Sequence, residues 1–198
     1  MLKRMFLLTL AGVATAVTLT SGQTGKIDGF TATVDNVDAL NPSFSVDLLR
    51  WSTDAQRDQV TAAFAKGETA LIDALKGMET VGYLWTGEPV GYPIRYAFNQ
   101  TMTDGTERIV LATERRLGAF LPEPWIAEAP AQTQPYEFTV VELRLPQGGA
   151  GEGKLSLMAR VVVEVGLGTA DATTQTLALA NYAAAPVALR NVRRNTGT

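Results

Sequence analysis

The period of apolar and polar positions changes twice along this chain. The changes divide it into strands, a helical pair and strands again. After a polar, Gly-containing lead-in from Ser21 to Gly29, Phe30-Thr31-Ala32-Thr33-Val34 alternates in the manner of a half-buried strand. Asn41-Pro42 marks a turn. Ser43 to Trp51 alternates again, with Phe44, Val46 and Leu48 on one face and Leu49 and Trp51 on the other.

From Thr53 the period becomes helical. Thr53-Asp54-Ala55-Gln56 has the form of a capping box, in which the Thr53 hydroxyl accepts from the Gln56 amide and the Gln56 side chain reaches back. Val60, Ala63 and Phe64 follow at helical spacing, and Gly67 is placed to stop the helix. Glu68 to Lys76 predicts a second short helix, with Leu71, Ile72, Leu75 and Met78 on one stripe and Gly77 at its end.

The remainder reads as strands. Val81, Tyr83 and Trp85 share a face, as do Ile94, Tyr96 and Phe98. Asp104-Gly105 predicts a hairpin into the strand from Arg108 to Thr113. Pro122, Pro124, Pro130 and Pro135 mark a long loop. In Tyr136 to Leu145 the apolar phase slips between Val140 and Val141, which predicts a bulge or burial on both faces. Gln147 to Gly153 is a glycine-rich turn. Leu155 to Val165 keeps strict alternation and reads as the longest strand. Thr176 to Tyr182 and Val187 to Val192 are weaker strands. The expected fold is α+β: mainly antiparallel β, a barrel or a sandwich, with one inserted helical hairpin, forming a single domain over residues 23–198.

The first 22 residues predict a destination. Lys3 and Arg4 precede the uncharged, mostly apolar run Met5 to Val13, and Ala14-Thr15-Ala16 is a small-x-small site. That is the layout of a secretory signal peptide, too short in its apolar part for a stable membrane anchor. The expected mature chain is periplasmic or secreted, with no membrane span. The net charge of -3 becomes -5 without Lys3 and Arg4, and this mildly acidic chain lacks the basic footprint of a nucleic-acid binder. Arg190, Arg193 and Arg194 read as a solvated basic end.

Cysteine and histidine are both absent. Their absence excludes Ser-His-Asp and Cys-His nucleophile systems and ordinary zinc sites. No catalytic residue, metal ligand set or cofactor is therefore assigned. Gly148 to Gly153 precedes a strand where a phosphate cradle would precede a helix, and reads as a turn. Lys154 and Ser156, two apart on one strand face, read as solvent-facing. Asp35, Asn36 and Asp38 lack calcium-loop spacing and read as a turn. Glu107, Glu114, Glu137 and Glu142 read as exposed strand charges that could alternatively supply a carboxylate pair. Arg50, Arg95, Arg108, Arg115 and Arg160 interrupt or border apolar strands and need partners, as cross-strand ion pairs or as an anion-recognising pocket.

Arg50-Trp51-Ser52-Thr53, the two helices, Val81-Gly82-Tyr83, Ile94-Arg95-Tyr96-Ala97 and Arg108 to Arg115 together resemble a group of exported bacterial hypothetical proteins with no known activity. The resemblance covers about the middle third of the chain and carries no chemistry across.

The functional expectation is an exported, non-enzymatic binding or interaction protein whose partner is a small molecule, a glycan or an envelope protein. The alternatives are a histidine-free, carboxylate-dependent hydrolase and a structural subunit of a surface assembly. Pro122-Glu123-Pro124-Trp125-Ile126 places a large aromatic in the proline-rich loop. Trp125 either plugs the core or meets a partner, with Trp85 and Tyr83 as neighbours and Arg95 as an anion contact. The signal layout generates a direct expectation: N-terminal sequencing of exported material should find a chain beginning between Val17 and Gln23, and an intact Met1 on the soluble mature form would contradict it.

Overall fold

A computed structural model describes residues 25–37, 43–87, 89–118, 136–148, 150–157, 159–167, 173–185 and 187–195. The predicted signal segment and the loop carrying Trp125 lie outside these residues. The described strands are β1 (Asp28–Asp35), β2 (Ser43–Leu48), β3 (Gly82–Trp85), β4 (Tyr92–Thr101), β5 (Glu107–Thr113), β6 (Thr139–Leu145), β7 (Gly151–Leu155), β8 (Val161–Leu167), β9 (Thr173–Leu179) and β10 (Ala188–Arg194). Two helices, α1 (Asp54–Ala65) and α2 (Glu68–Gly77), lie between β2 and β3.

Eight strands close into an antiparallel barrel in the order β1-β10-β7-β6-β5-β4-β3-β2, and β8 and β9 form a separate two-stranded ribbon. The fold is thus the expected α+β class, and the antiparallel sheet is a barrel. Closure leaves no free edge within that sheet.

Inward positions fill the lumen. Phe30, Phe44, Val46, Leu48, Leu84, Tyr92, Ile94, Ile109, Leu111, Val141, Leu143 and Leu189 are all buried in one cluster. An eight-stranded barrel is just wide enough for side chains to occupy its interior. A second apolar layer lies outside the wall. Val60, Leu71, Leu75 and Met78 from the helices pack with Tyr96, Val110, Ala112 and Val140 from the strands and with Leu177 and Leu179 from the ribbon. β5 and β6 are therefore covered on both faces, which accounts for the phase slip at Val140 and Val141.

Two bulges adjust which side chains face inward. Ile94 pairs with Thr113 but Tyr96 pairs with Ala112, so Arg95 is an extra residue on β4. As a result Ile94 joins the lumen while Tyr96 joins the outer layer. The expected common face for Ile94, Tyr96 and Phe98 is corrected by this bulge. On β10, Thr31 pairs with Arg193 and Thr33 with Arg190, and Asn191 sits there at φ 52°. Asparagine tolerates that left-handed conformation. The extra residue lets Leu189 and Val192, three apart, both enter the lumen.

The helical pair forms as its caps predict. The Thr53 hydroxyl accepts from Gln56 N–H at 3.3 Å, and the Gln56 side chain accepts from Thr53 N–H at 3.0 Å. Gly67 joins the two helices at φ 111°, a conformation that disfavours any side chain. Ser52 ties the start of the pair to β4, donating its N–H to Ala97 O and accepting Ala97 N–H on its hydroxyl.

The alternating run from Leu155 to Val165 is not one strand. It breaks after Leu155, and β8 begins at Val161. Ser156 turns the chain at the break. It is buried, and its hydroxyl accepts Val140 N–H at 2.9 Å, so it is not the solvent-facing residue expected. Lys154 donates to Ala185 O.

The ribbon is held to the barrel by a buried charge. Glu142 is fully buried on the outer face of β6. Its carboxylate accepts from Arg108 at 3.1 and 3.4 Å, from Arg144 at 2.9 and 3.1 Å, and from Leu179 N–H of β9 at 3.1 Å. Arg108 also lies 3.2 Å from Glu164 of β8, and the Arg144 guanidinium lies over the Tyr182 ring at 3.7 Å. Glu142 is thus not the exposed strand charge expected. Replacing Glu142 by Ala should cost about 3–5 kcal/mol, since it leaves the buried Arg108 with only the half-exposed Glu164 as counter-charge and Leu179 N–H without its acceptor. Removing both charges together, Arg108→Leu with Glu142→Leu, should cost less than the sum of the single losses in chemical melts.

Candidate functional site

Strand β3 turns its side chains alternately into and out of the barrel. Leu84 is buried in the lumen, so Tyr83 and Trp85 point outward. Tyr83 is 39 % exposed, and its ring centroid lies 6.3 Å from that of Trp85 at an interplanar angle of 37°. Register places Asp47 and Pro93 on either side of Tyr83, and Ser45 beside Trp85. Asp47 is half-buried and paired with Lys26 at 2.6 Å. Among the described residues no helix is placed over this stretch of wall, because α1 and α2 pack on the side of β4 to β6.

Trp85 is held by the turn that follows it. A Cβ on Gly91 would lie 3.1 Å from three indole carbons, so the ring lies close on the Gly91 backbone and would have to shift by a few tenths of an ångström for any larger residue. Val90 beside it is 54 % exposed. The result is a fixed aromatic surface flanked by an acid, a base and a hydroxyl. Such a surface can stack an apolar ring face and hydrogen-bond polar groups at its rim.

Arg95 has a different position from that pair. At the β4 bulge it donates to Glu114 at 3.0 Å, to Met78 O at 3.1 Å and to Thr80 at 2.9 Å. These bonds fasten the end of α2 to the barrel wall. Trp125 is outside the described residues. The structure therefore brings Tyr83 and Trp85 together and engages Arg95 elsewhere.

A second polar site closes one end of the barrel, where sequence reasoning placed none. Arg194 of β10 makes two bonds to Glu107, at 3.0 and 2.6 Å, and lies 3.3 Å from Asp28. Asn99 donates to the same Glu107 carboxylate. The expected solvated arginine tail is thus a strand: Arg194 is clamped, and Arg190 pairs with Asp35. The signal was hidden by the bulge at Asn191: unbroken alternation from Val187 and Leu189 would turn Arg193 inward, and the extra residue turns Val192 and Arg194 inward instead. A cleft of about 640 Å³ opens beside this clamp, lined by Glu107, Gln147, Arg193 and Arg194 among others.

The two carboxylates of this end are pushed apart. Burial raises Asp28 above the ordinary aspartate range, and the Arg194 hydrogen bonds hold Glu107 below the ordinary glutamate range. A split pair beside a cleft is one mark of an acid–base site. Here, however, Arg194 bridges both groups and occupies both Glu107 oxygens. Asp28 is not among the residues lining the cleft. The arrangement is an ion-pair clamp on the barrel mouth.

Comparisons with protein-family models, with curated proteins and with solved structures find no match for this chain.

The clamp has a pH signature. Because Glu107 titrates lower in the folded state, its stabilisation is present above the ordinary value of 4.5 and is lost as pH falls through the folded value. Urea melts from about pH 7 down to about pH 3 should show Glu107→Gln less stable than wild type at the upper end, with the gap closing in acid. A constant gap would show that the Glu107 charge does not contribute.

Proposed function

We propose that this chain is an exported, non-enzymatic binding protein that presents the Tyr83–Trp85 surface of its barrel to a glycan. The observation that carries the reading is an outward-facing aromatic pair, Tyr83 exposed and Trp85 half-buried against Gly91, on a barrel whose interior is already occupied by its own side chains. A lumen packed with Phe30, Phe44, Tyr92 and their neighbours leaves the outer wall as the place for recognition.

A glycan suits this wall for a chemical reason. One face of a pyranose ring carries C–H groups, which stack on an aromatic ring, while its hydroxyls need donors and acceptors at the edge. Asp47, Lys26 and Ser45 supply those groups around Tyr83 and Trp85. The aromatic pair spends few rotatable bonds in binding, and the contact of Trp85 with Gly91 orders it in advance. The signal layout and the resemblance to exported bacterial proteins support an envelope or extracellular setting, where glycans are abundant.

Titration with neutral oligosaccharides, β-1,4-linked glucan and chitin oligomers, followed by tryptophan fluorescence and calorimetry, tests this. Trp85→Ala and Tyr83→Ala should each weaken binding by about tenfold or more, equivalent to about 1.4 kcal/mol, while the melting midpoint stays close to wild type. Absence of binding to every oligomer, or unchanged affinity in both variants, would refute the reading. Turnover of an oligomer that is lost in Glu107→Gln would favour the carboxylate hydrolase instead.

A further inference from the structure

The β4–β5 hairpin and the end of β8 face one another across a cleft of about 450 Å³. Proteins hold small ligands in spaces of roughly 300–1,000 Å³. Met102 and Asp104 line the cleft from the hairpin, Glu164, Val165 and Gly166 from β8, and Arg108 and Arg144 from the barrel wall.

The two arginines stand directly across from one another on β5 and β6. Both reach the Glu142 carboxylate through Nε and Nη2. Arg108 Nη2 also meets Glu164 and Leu177 O. A guanidinium carries five N–H groups, so these contacts leave Nη1 of each arginine for a further acceptor. The Arg144 side chain is 40 % exposed and therefore open to one. The acids flank the arginines from the two sides. Glu164 meets Arg108 through Oε2, and its side chain is 56 % exposed. Asp104 is exposed at the hairpin tip, where its Oδ1 accepts Thr106 N–H at 2.9 Å.

Two further features point to an occupant. Val165 is apolar yet 52 % exposed, and it lines the cleft together with Met102. Gln100, opposite Arg108 on β4, is buried, and neither end of its amide has a hydrogen-bond partner. A buried amide left so costs stability. It lies against Gly166 at the cleft, where a Cβ would come within 2.6 Å of its oxygen. A ligand that draws this flexible side chain toward the cleft satisfies it.

We propose that this cleft binds a free α-amino acid with an apolar side chain. The ligand carboxylate takes charge-assisted bonds from Nη1 of Arg144 and Arg108, and the ammonium lies between Asp104 and Glu164. The ligand side chain rests on Met102 and Val165. A simple anion would meet the two acids here, and a simple cation the two arginines. A molecule that carries both charges satisfies all four groups.

Calorimetric titration of the whole protein with leucine tests the proposal. Leucine should bind, and isocaproate, which lacks the ammonium, and isoamylamine, which lacks the carboxylate, should each bind about tenfold more weakly or worse. Asp104→Asn and Glu164→Gln should each weaken leucine binding by about tenfold and narrow its advantage over isocaproate, with circular dichroism confirming the fold. Both side chains are largely exposed, so neither change empties the core. Absence of binding to leucine, methionine and phenylalanine up to about 10 mM would overturn the proposal. So would equal affinity for isocaproate, or leucine binding indifferent to both variants.

Discussion

Five hydrogen bonds meet on the carboxylate of Glu142, and the outer layer of the protein depends on them. The middle of β5 and β6 is apolar on the lumen side, and on the outer side Arg108, Glu142 and Arg144 interrupt an otherwise apolar layer. A lone carboxylate there would be too costly to bury, and a lone arginine equally so. Together they form a polar spot that the edge of β9 can dock on, because Glu142 offers an acceptor to Leu179 N–H and Arg108 a donor to Leu177 O. A ribbon edge that would otherwise need a further strand is satisfied by two side chains. The same docking brings Thr176 against Tyr96, whose hydroxyls lie 2.7 Å apart, and burial pushes the Tyr96 phenol up. Apolar packing supplies the bulk of the contact, and the carboxylate sets its register.

Local signals in the chain were legible where a single element explains them. Thr53 and Gln56 form the capping box their spacing describes, and Asp104-Gly105 turns the β4–β5 hairpin, with Gly105 at φ 81° and Thr106 N–H donating to Asp104. What could not be read depended on partners far along the chain. The alternation from Leu155 to Val165 is the same whether the residues form one strand or two; Leu155 continues along β6 while Val161 pairs with Leu179, and only the tertiary contacts decide. Arg95 and Asn191 are bulges, and a bulge shows in the sequence only as a phase slip whose position is ambiguous. Glu142 looked like any strand glutamate because Arg108 and the β9 amide reach it from strands distant in the sequence.

The candidate site divides in the same way. Tyr83 and Trp85 are two apart in one short strand, so their common face followed from period alone. That this face is the outer one followed from the barrel, since Leu84 between them fills the lumen. The role of Gly91 under the indole required the β3–β4 turn, and the Arg194 clamp required the two ends of the chain to meet. Arg95, chosen as an anion contact for its place in an apolar strand, illustrates the general pattern: an arginine among apolar residues in a strand was most often claimed by a structural partner, Glu114 here and Glu142 for Arg108.

The barrel seam pairs Phe30 with Arg194 and Asp35 with Ala188, the beginning of the described chain with its end. Strands this distant in sequence are slow to find each other, and here the contact cannot begin until β10 has been made. During synthesis the earlier strands can form hairpins, but the sheet stays open and its lumen residues remain unsealed. A polypeptide that completes its fold only with its final strand remains threadable until then. For a chain proposed to be exported, late closure keeps folding from outrunning transport.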